Sequence, residues 1–270
     1  MKPSIHKSLF RSLRIWKLYF IISFKYFAAY KLSSILTILF SLIFLVGEIL
    51  SVDVYYNFED VINTWDKNSF YILLGTFNLM VCLYTFLFEI AHDEFVLKIK
   101  YGDLDFDLVK PMDSQMLSSI QRVDYPSLFN LPIPIWLVYL GVQGLSLNVT
   151  IIVFTMYIAM ILVGVFLIYL THQCAVACAF WFTDSSNITT LSSQMVQLGS
   201  RPMQVYPKAI QFGFSYVIPF LLCTNLSVDI LKQEFQMKNL MILLFGTCIF
   251  FFLVRVQWNL GLKRYASASS

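Results

Sequence analysis

The chain of 270 residues is 58% hydrophobic, 17% aromatic and only 13% charged, whereas soluble domains carry about 25% charged residues. This balance excludes an ordinary soluble domain, a disordered chain and a disulfide scaffold. Several apolar runs reach the roughly 20 residues that a helix needs to cross a bilayer, so the chain reads as an all-α, polytopic membrane protein.

The first segment, residues 1–31, holds seven basic side chains and no acid. It lacks the short apolar core and small-residue cleavage pattern of a signal peptide. On a helix over 5–28, Leu9, Leu13, Trp16, Phe20, Phe24 and Phe27 share one side, and Lys7, Arg11, Arg14 and Lys25 lie opposite. Such a helix lies in the membrane interface, its aromatic face toward acyl chains and its basic face toward anionic headgroups. Arg11, Arg14, Trp16 and Phe20 are its candidate membrane contacts.

Clear spans follow at Leu32–Leu50, Phe70–Ile90, Leu128–Gly144, Val149–Leu170 and Leu240–Val254. Between the first two, residues 51–69 carry four acids against one Lys67, with Tyr55, Tyr56 and Trp65 suited to an aromatic belt. Glu48 and Glu89 are expected near span ends, because a charge at mid-bilayer costs about 2.5–3.5 kcal/mol on insertion scales.

The longest hydrophilic stretch, 91–127, holds four bases and seven acids. Gly102 is expected to end the helix continuing from the second span. Asp103 or Asp105 is expected to cap a short helix over Leu104–Val109 that stops at Pro111, and Asp113 to start another over Met116–Val123. Just before it, Glu89 and His92 stand one helical turn apart. Di-iron bundles need two such pairs plus further glutamates, so these residues read as a polar cap and no metal ligands are assigned. His172, Cys174 and Cys178 likewise fall short of a four-ligand zinc shell. All five cysteines lie in apolar segments and are expected to pack as small hydrophobes.

Between Cys174 and Asn225 one more crossing is needed. Hydropathy favours Ile210–Thr224, which leaves 183–209 as a loop. The alternative runs the fifth span through Thr183–Ser200 and makes Ile210–Thr224 re-entrant. Ser193, Gln194, Gln197 and Ser215 would line a path in that second arrangement. The tail holds Arg255, Lys263 and Arg264 with no acid. Basic residues in short flanks stay cytoplasmic, so both termini are expected inside, with an even number of crossings, read as six. The organisation is therefore an interfacial helix at 1–31, a transmembrane domain at 32–254 with its loop at 91–127, and a tail at 255–270.

The string Gly102-Asp103-Leu104-Asp105, followed by Leu108, Lys110-Pro111 and Asp113, resembles the loop signature of bacterial ATP-binding-cassette (ABC) exporter permeases of the type-2 membrane-domain class. Arg201-Pro202, Val205-Tyr206-Pro207 and Val217-Ile218-Pro219-Phe220 are similar to that family's stretch before the last span. Arg201 stands where the family usually has tyrosine, and Met112-Asp113-Ser114 replaces leucine-asparagine-proline. The resemblance implies a permease subunit in a bacterial plasma (inner) membrane, paired with a second, identical or homologous, permease. It also implies two separate ATPase subunits, which would carry ATP and Mg. Gly102, Asp103, Leu104, Asp105, Leu108, Lys110 and Pro111 become the coupling contact. The chain itself lacks the phosphate-binding G-x-x-x-x-G-K-(S/T) loop, so no enzyme activity or cofactor is assigned to it.

Two other classes compete. An ion-coupled secondary transporter or channel would carry ionisable residues near mid-bilayer. An intramembrane lipid-modifying enzyme would need a cluster of His, Asp or Glu at a membrane face, for which Glu89–Glu94 is the nearest match.

Overall fold

The computed structural model describes residues 5–57, 61–62, 65–110, 112–182 and 186–265, and for 5–14, 61, 62 and 186 the backbone alone. Helix α1 (Ile5–Ala29) leads directly into α2 (Lys31–Tyr56). A short antiparallel hairpin follows, β1 (Val61–Ile62) against β2 (Trp65–Asp66), with Val61 opposite Asp66. Asp66 caps α3 (Lys67–Tyr84) by accepting from the Asn68 N–H at 3.2 Å, which satisfies one donor left open at a helix start. Through a π turn at Thr85–Glu89, α3 continues into α4 (Ile90–Tyr101).

Two short helices then fill the loop, α5 (Asp105–Leu108) and α6 (Ser114–Ser118). Next come α7 (Tyr125–Leu128), α8 (Pro132–Gly144) and the long apolar α9 (Ile151–Ala177), capped by Thr150. The polar α10 (Ser186–Gln197) is followed by α11 (Lys208–Phe212), α12 (Phe220–Lys232) and α13 (Met237–Arg264).

Among the described residues five helical segments are long and apolar enough to cross a membrane: Lys31–Tyr56, Lys67–Tyr101, Tyr125–Gly144, Ile151–Phe180 and Met237–Arg264. Each contains or closely matches an expected span. One expectation is corrected. The two glutamates expected near span ends lie inside the helical segments: α2 runs on for eight residues past Glu48 to Tyr56, about 12 Å of helix, and α4 carries the second span twelve residues past Glu89 to Tyr101. The extension of α2 is stabilised by Asp53, which pairs with Lys67 at 3.1 Å and accepts a hydrogen bond from Tyr71.

The remaining crossing follows from depth. The loop 102–124 and Tyr265 gather at one end of the bundle, here called proximal; the β-hairpin lies at the other, distal end. α10 begins beyond the proximal end of α9, and Ser192 lies 3.4 Å from His172 in that helix. Five residues later Gln197 reaches Glu48, and Gln204 accepts from Trp65 Nε1 beside the hairpin at 3.0 Å. The stretch 186–205 therefore rises from the proximal to the distal side. The next two helical pieces, Lys208–Val217 and Phe220–Lys232, meet at an 86° bend. Pro219 at that bend faces Gly246 inside α13, whereas Gln233 donates to the Asn148 carbonyl at the distal surface at 2.8 Å. The pair thus dips in and returns. Of the two arrangements left open by sequence, the contacts favour the second, with 186–200 rising through the bundle and a re-entrant hairpin after it. A polar helix at membrane depth is tolerable where protein or a wet cavity surrounds it; the amide of Gln197 and the hydroxyl of Ser192 are both hydrogen-bonded.

The main core joins α3, α9, α12 and α13 around Phe77, Met80, Leu167, Phe220, Leu226 and Leu243. α3 and α8 approach closely at Gly75, where a Cβ would sit 2.7 Å from the Pro134 carbonyl oxygen, the small-residue contact typical of membrane helices. By contrast only 11% of the most apolar stretch of α2 is buried. Its other face is left to lipid or another subunit. α1 docks on the start of α7: Ser23 Oγ accepts from the Val123 N–H at 3.1 Å, and Tyr125 donates to the Phe20 carbonyl at 3.1 Å.

Candidate functional site

The loop after α4 is built from a left-handed cap outward. Gly102 has φ 81°, and the Asp103 N–H returns to the Lys98 carbonyl at 2.9 Å; this closure needs a residue without a Cβ penalty at positive φ. Leu104 then turns inward and is fully buried with Phe95, Val176, Phe180 and Trp258. It anchors the loop to the proximal ends of α4, α9 and α13. α5 has no side-chain cap; the Asp103 carbonyl instead accepts from the Phe106 N–H at 3.3 Å.

Asp107, which sequence reading passed over, is the hub of this loop. Its carboxylate is buried and accepts from Lys98 at 2.8 Å, Lys110 at 2.7 Å and Gln121 at 2.7 Å. Burial alone would raise its pKa, but these hydrogen bonds outweigh it and hold the carboxyl below its ordinary value. Lys110, also pulled toward its neutral form by burial, is held above its ordinary value by the same pair. One carboxylate therefore fixes α5 against α4 and against the segment before α7. No local sequence signal sets Asp107 apart from Asp103 or Asp105.

With Leu104 and Asp107 turned in, Phe106, Leu108 and Val109 turn out, Val109 being 81% exposed. Asp103 is exposed and Asp105 half-buried; Pro111 lies outside the described residues. Asp113 caps α6 as expected, accepting from the Met116 N–H at 3.0 Å. It also pairs with Arg255 of α13, and Trp258 Nε1 donates to Ser114 Oγ at 3.2 Å. α6 is thus tied to the last span, and Leu104, just before α5, packs on Trp258 of the same span.

On helix α1, Phe20 meets Phe86 edge-on (5.9 Å) and Phe27 stacks on Phe129 (5.8 Å). The aromatic face expected to meet acyl chains meets protein at these rings. Trp16 lines a cavity of about 500 Å³ with Phe88, Tyr169 and Phe251. The side chains of Arg11 and Arg14 lie outside the described residues.

His92 is buried between Tyr84 (2.9 Å to Nδ1) and Gln173 (2.9 Å to Nε2) and stacks on Tyr169 at 5.4 Å. Among the described residues no group of three or more His, Cys, Asp or Glu could hold a metal ion. Cys174 and Cys178 both lie near Gln257, which donates to the Cys174 carbonyl at 3.0 Å. These groups tie α4, α9 and α13 together.

Five long apolar helices and a pinned proximal loop are among the described features of a chain that matches one known family. The family model described as ABC-2 family transporter protein matches residues 42–269. The chain belongs to the ABC-2 transporter family. No curated protein and no solved structure gave a significant match.

As an ABC-2 membrane component, the chain is a permease-type transport protein and not itself an enzyme. Within the permease, Ser193, Gln194 and Gln197 share one exposed face of α10. Gln197 Nε2 donates to Glu48 Oε1 at 2.8 Å, and Asn78 donates to the second oxygen at 3.0 Å. Ser215 does not join them; it is buried in the re-entrant hairpin and donates to Met203 Sδ at 3.3 Å.

Proposed function

We propose that the chain is the membrane half of an ABC exporter, and that separate ATPase subunits dock on α5 and drive it. One observation carries this reading: a short helix pinned from behind by Leu104 and Asp107 presents Phe106, Leu108 and Val109 outward. Exposed apolar side chains on a rigid mount make an interface core, and the mount runs directly into α4, α9 and α13. Closure of an ATPase pair would push α5, and the push would reach the spans through the Leu104 cluster and the Arg255–Asp113 bridge.

ATP and Mg belong to the partner in this reading. The proximal end, with the basic α1 and Lys263 and Arg264, faces the cytoplasm of a bacterial cell. The little-buried face of α2 and the exposed amides of α10 are the surface left for a second permease, identical or homologous. Gly102, Asp103, Asp105 and Lys110 complete the docking segment, and Pro111 follows it in sequence.

The test is affinity purification of the tagged full chain from its native membranes. A co-purifying protein with a phosphate-binding loop and ATPase activity is expected. Phe106→Asp and Val109→Asp should each lower its recovery about tenfold without changing the yield of the permease. Absence of any ATPase, or recovery unchanged in both variants, would remove the coupling reading.

A further inference from the structure

A groove of about 310 Å³ runs between α2 and α3 and ends against the start of α7. Three carboxylates line it, Glu48, Glu89 and Asp124, and among the described residues no Lys, Arg or His does. None of the three is in a salt bridge among the described residues. Glu48 is satisfied only by the neutral amides of Asn78 and Gln197. Charges held inside a membrane bundle are normally paired, so the groove gathers more carboxylates than the described cationic side chains pair.

A second observation points the same way. Asn130 lines the groove between the two ends and is 93% buried, at 7% exposure. Its Nδ2 donates to Ser41 Oγ at 2.8 Å, but its Oδ1 has no partner. A buried acceptor without a donor costs about 1–3 kcal/mol. The missing group is thus a hydrogen-bond donor as well as a cation.

Shape narrows the class. The eleven residues from Asn78, beside Glu48, to Glu89 rise about 16 Å along the helix, so one compact ion cannot touch both carboxylates. The walls between them include Phe44, Leu45 and Val81. A second cavity of about 300 Å³ shares Thr37 and Asp124 with the groove and continues to the aromatic side chains Tyr26, Phe27 and Tyr30 at the junction of α1 and α2. Arg122 also borders that outer cavity, where it is paired with Glu94 at 2.8 Å.

We infer that this groove binds an elongated amphipathic organic cation, with cationic nitrogen groups that carry N–H donors seated at Glu48 and Glu89, one donor turned to Asn130, and entry past Tyr26 and Tyr30. As a cargo assignment this rests on the permease reading; as a binding site it does not.

The full chain, purified without any ATPase and placed in zwitterionic-lipid nanodiscs, is titrated with dequalinium, a fluorescent dication joined by a decamethylene chain. Saturable binding is expected. Glu48→Gln and Glu89→Gln should each weaken it about tenfold, while Glu234→Gln, at the exposed distal end, should not. Asn130→Asp, which adds a carboxylate to the unpartnered position, should tighten it and serves if the glutamine variants fold poorly. Equal affinity for tetraphenylborate, or indifference to the glutamine and aspartate variants, would overturn the site. If that happens while an ATPase still co-purifies with the chain, the permease reading stands and only the groove falls. Cation binding without any ATPase partner would leave the groove and remove the permease.

Discussion

The buried Asp107 carboxylate accepts from Lys98 Nζ at 2.8 Å and so clamps α5 against the last turn of α4. The same carboxylate holds Lys110 and Gln121, which makes a four-residue helix stiff enough to carry load. Asp107→Asn keeps the shape but removes the charge. Hydrogen bonds to charged groups contribute about 1.5–3 kcal/mol, and the 40% exposure of Lys110 reduces its share. The expected result is a local loosening of about 1–3 kcal/mol, read as a rise of roughly 5- to 150-fold in amide exchange over 103–110 while α9 stays protected. Unchanged exchange there would show that Asp107 is not the clamp.

The same hub sets a pH window. Asp107 and Asp113 are both held below their ordinary value of 3.8; burial opposes this, but the bonds from Lys110, Lys98 and Gln121, and from Arg255, prevail. A depressed carboxyl gives stability that is complete above the unfolded value and is lost as pH falls through the folded one. Protection of 103–118, corrected for intrinsic exchange, should therefore match at pH 7 and pH 5 and fall only below about pH 4. Release near pH 6 would contradict the depressed carboxyls.

Much of this architecture is legible in sequence because burial in lipid demands long apolar runs and leaves charges to the ends. The five apolar crossings and the left-handed Gly102 cap follow from those rules. The crossing at 186–205 does not, since Ser192 and Gln197 find their partners in His172 and Glu48, the latter 149 positions away. Hydropathy prices such side chains as if they were unpaired. For the same reason Asp107 looked like its neighbours: its role depends on Gln121 and Lys98 arriving together. Glu48 was misplaced because Asp53 and Lys67 extend α2 past the point where the apolar run stops.

The path of the chain around Pro219 gives a direct test of the topology. If 186–205 crosses the bilayer and the following two pieces form a re-entrant hairpin, Gln204 and Gln233 both lie at the end that carries Asn148. Single cysteines placed at Gln204, Gln233 and Asn148, in a background in which all five native cysteines are replaced by serine or alanine, should all react with a membrane-impermeant maleimide from the same side. A cysteine at Val109 should react only from the opposite side. If instead Lys208–Lys232 were one bent span, Gln204 and Gln233 would label from opposite faces. Gln204 grouping with Val109 would then sink the sixth crossing, and with it the placement of Gln197 beside Glu48 within the bundle.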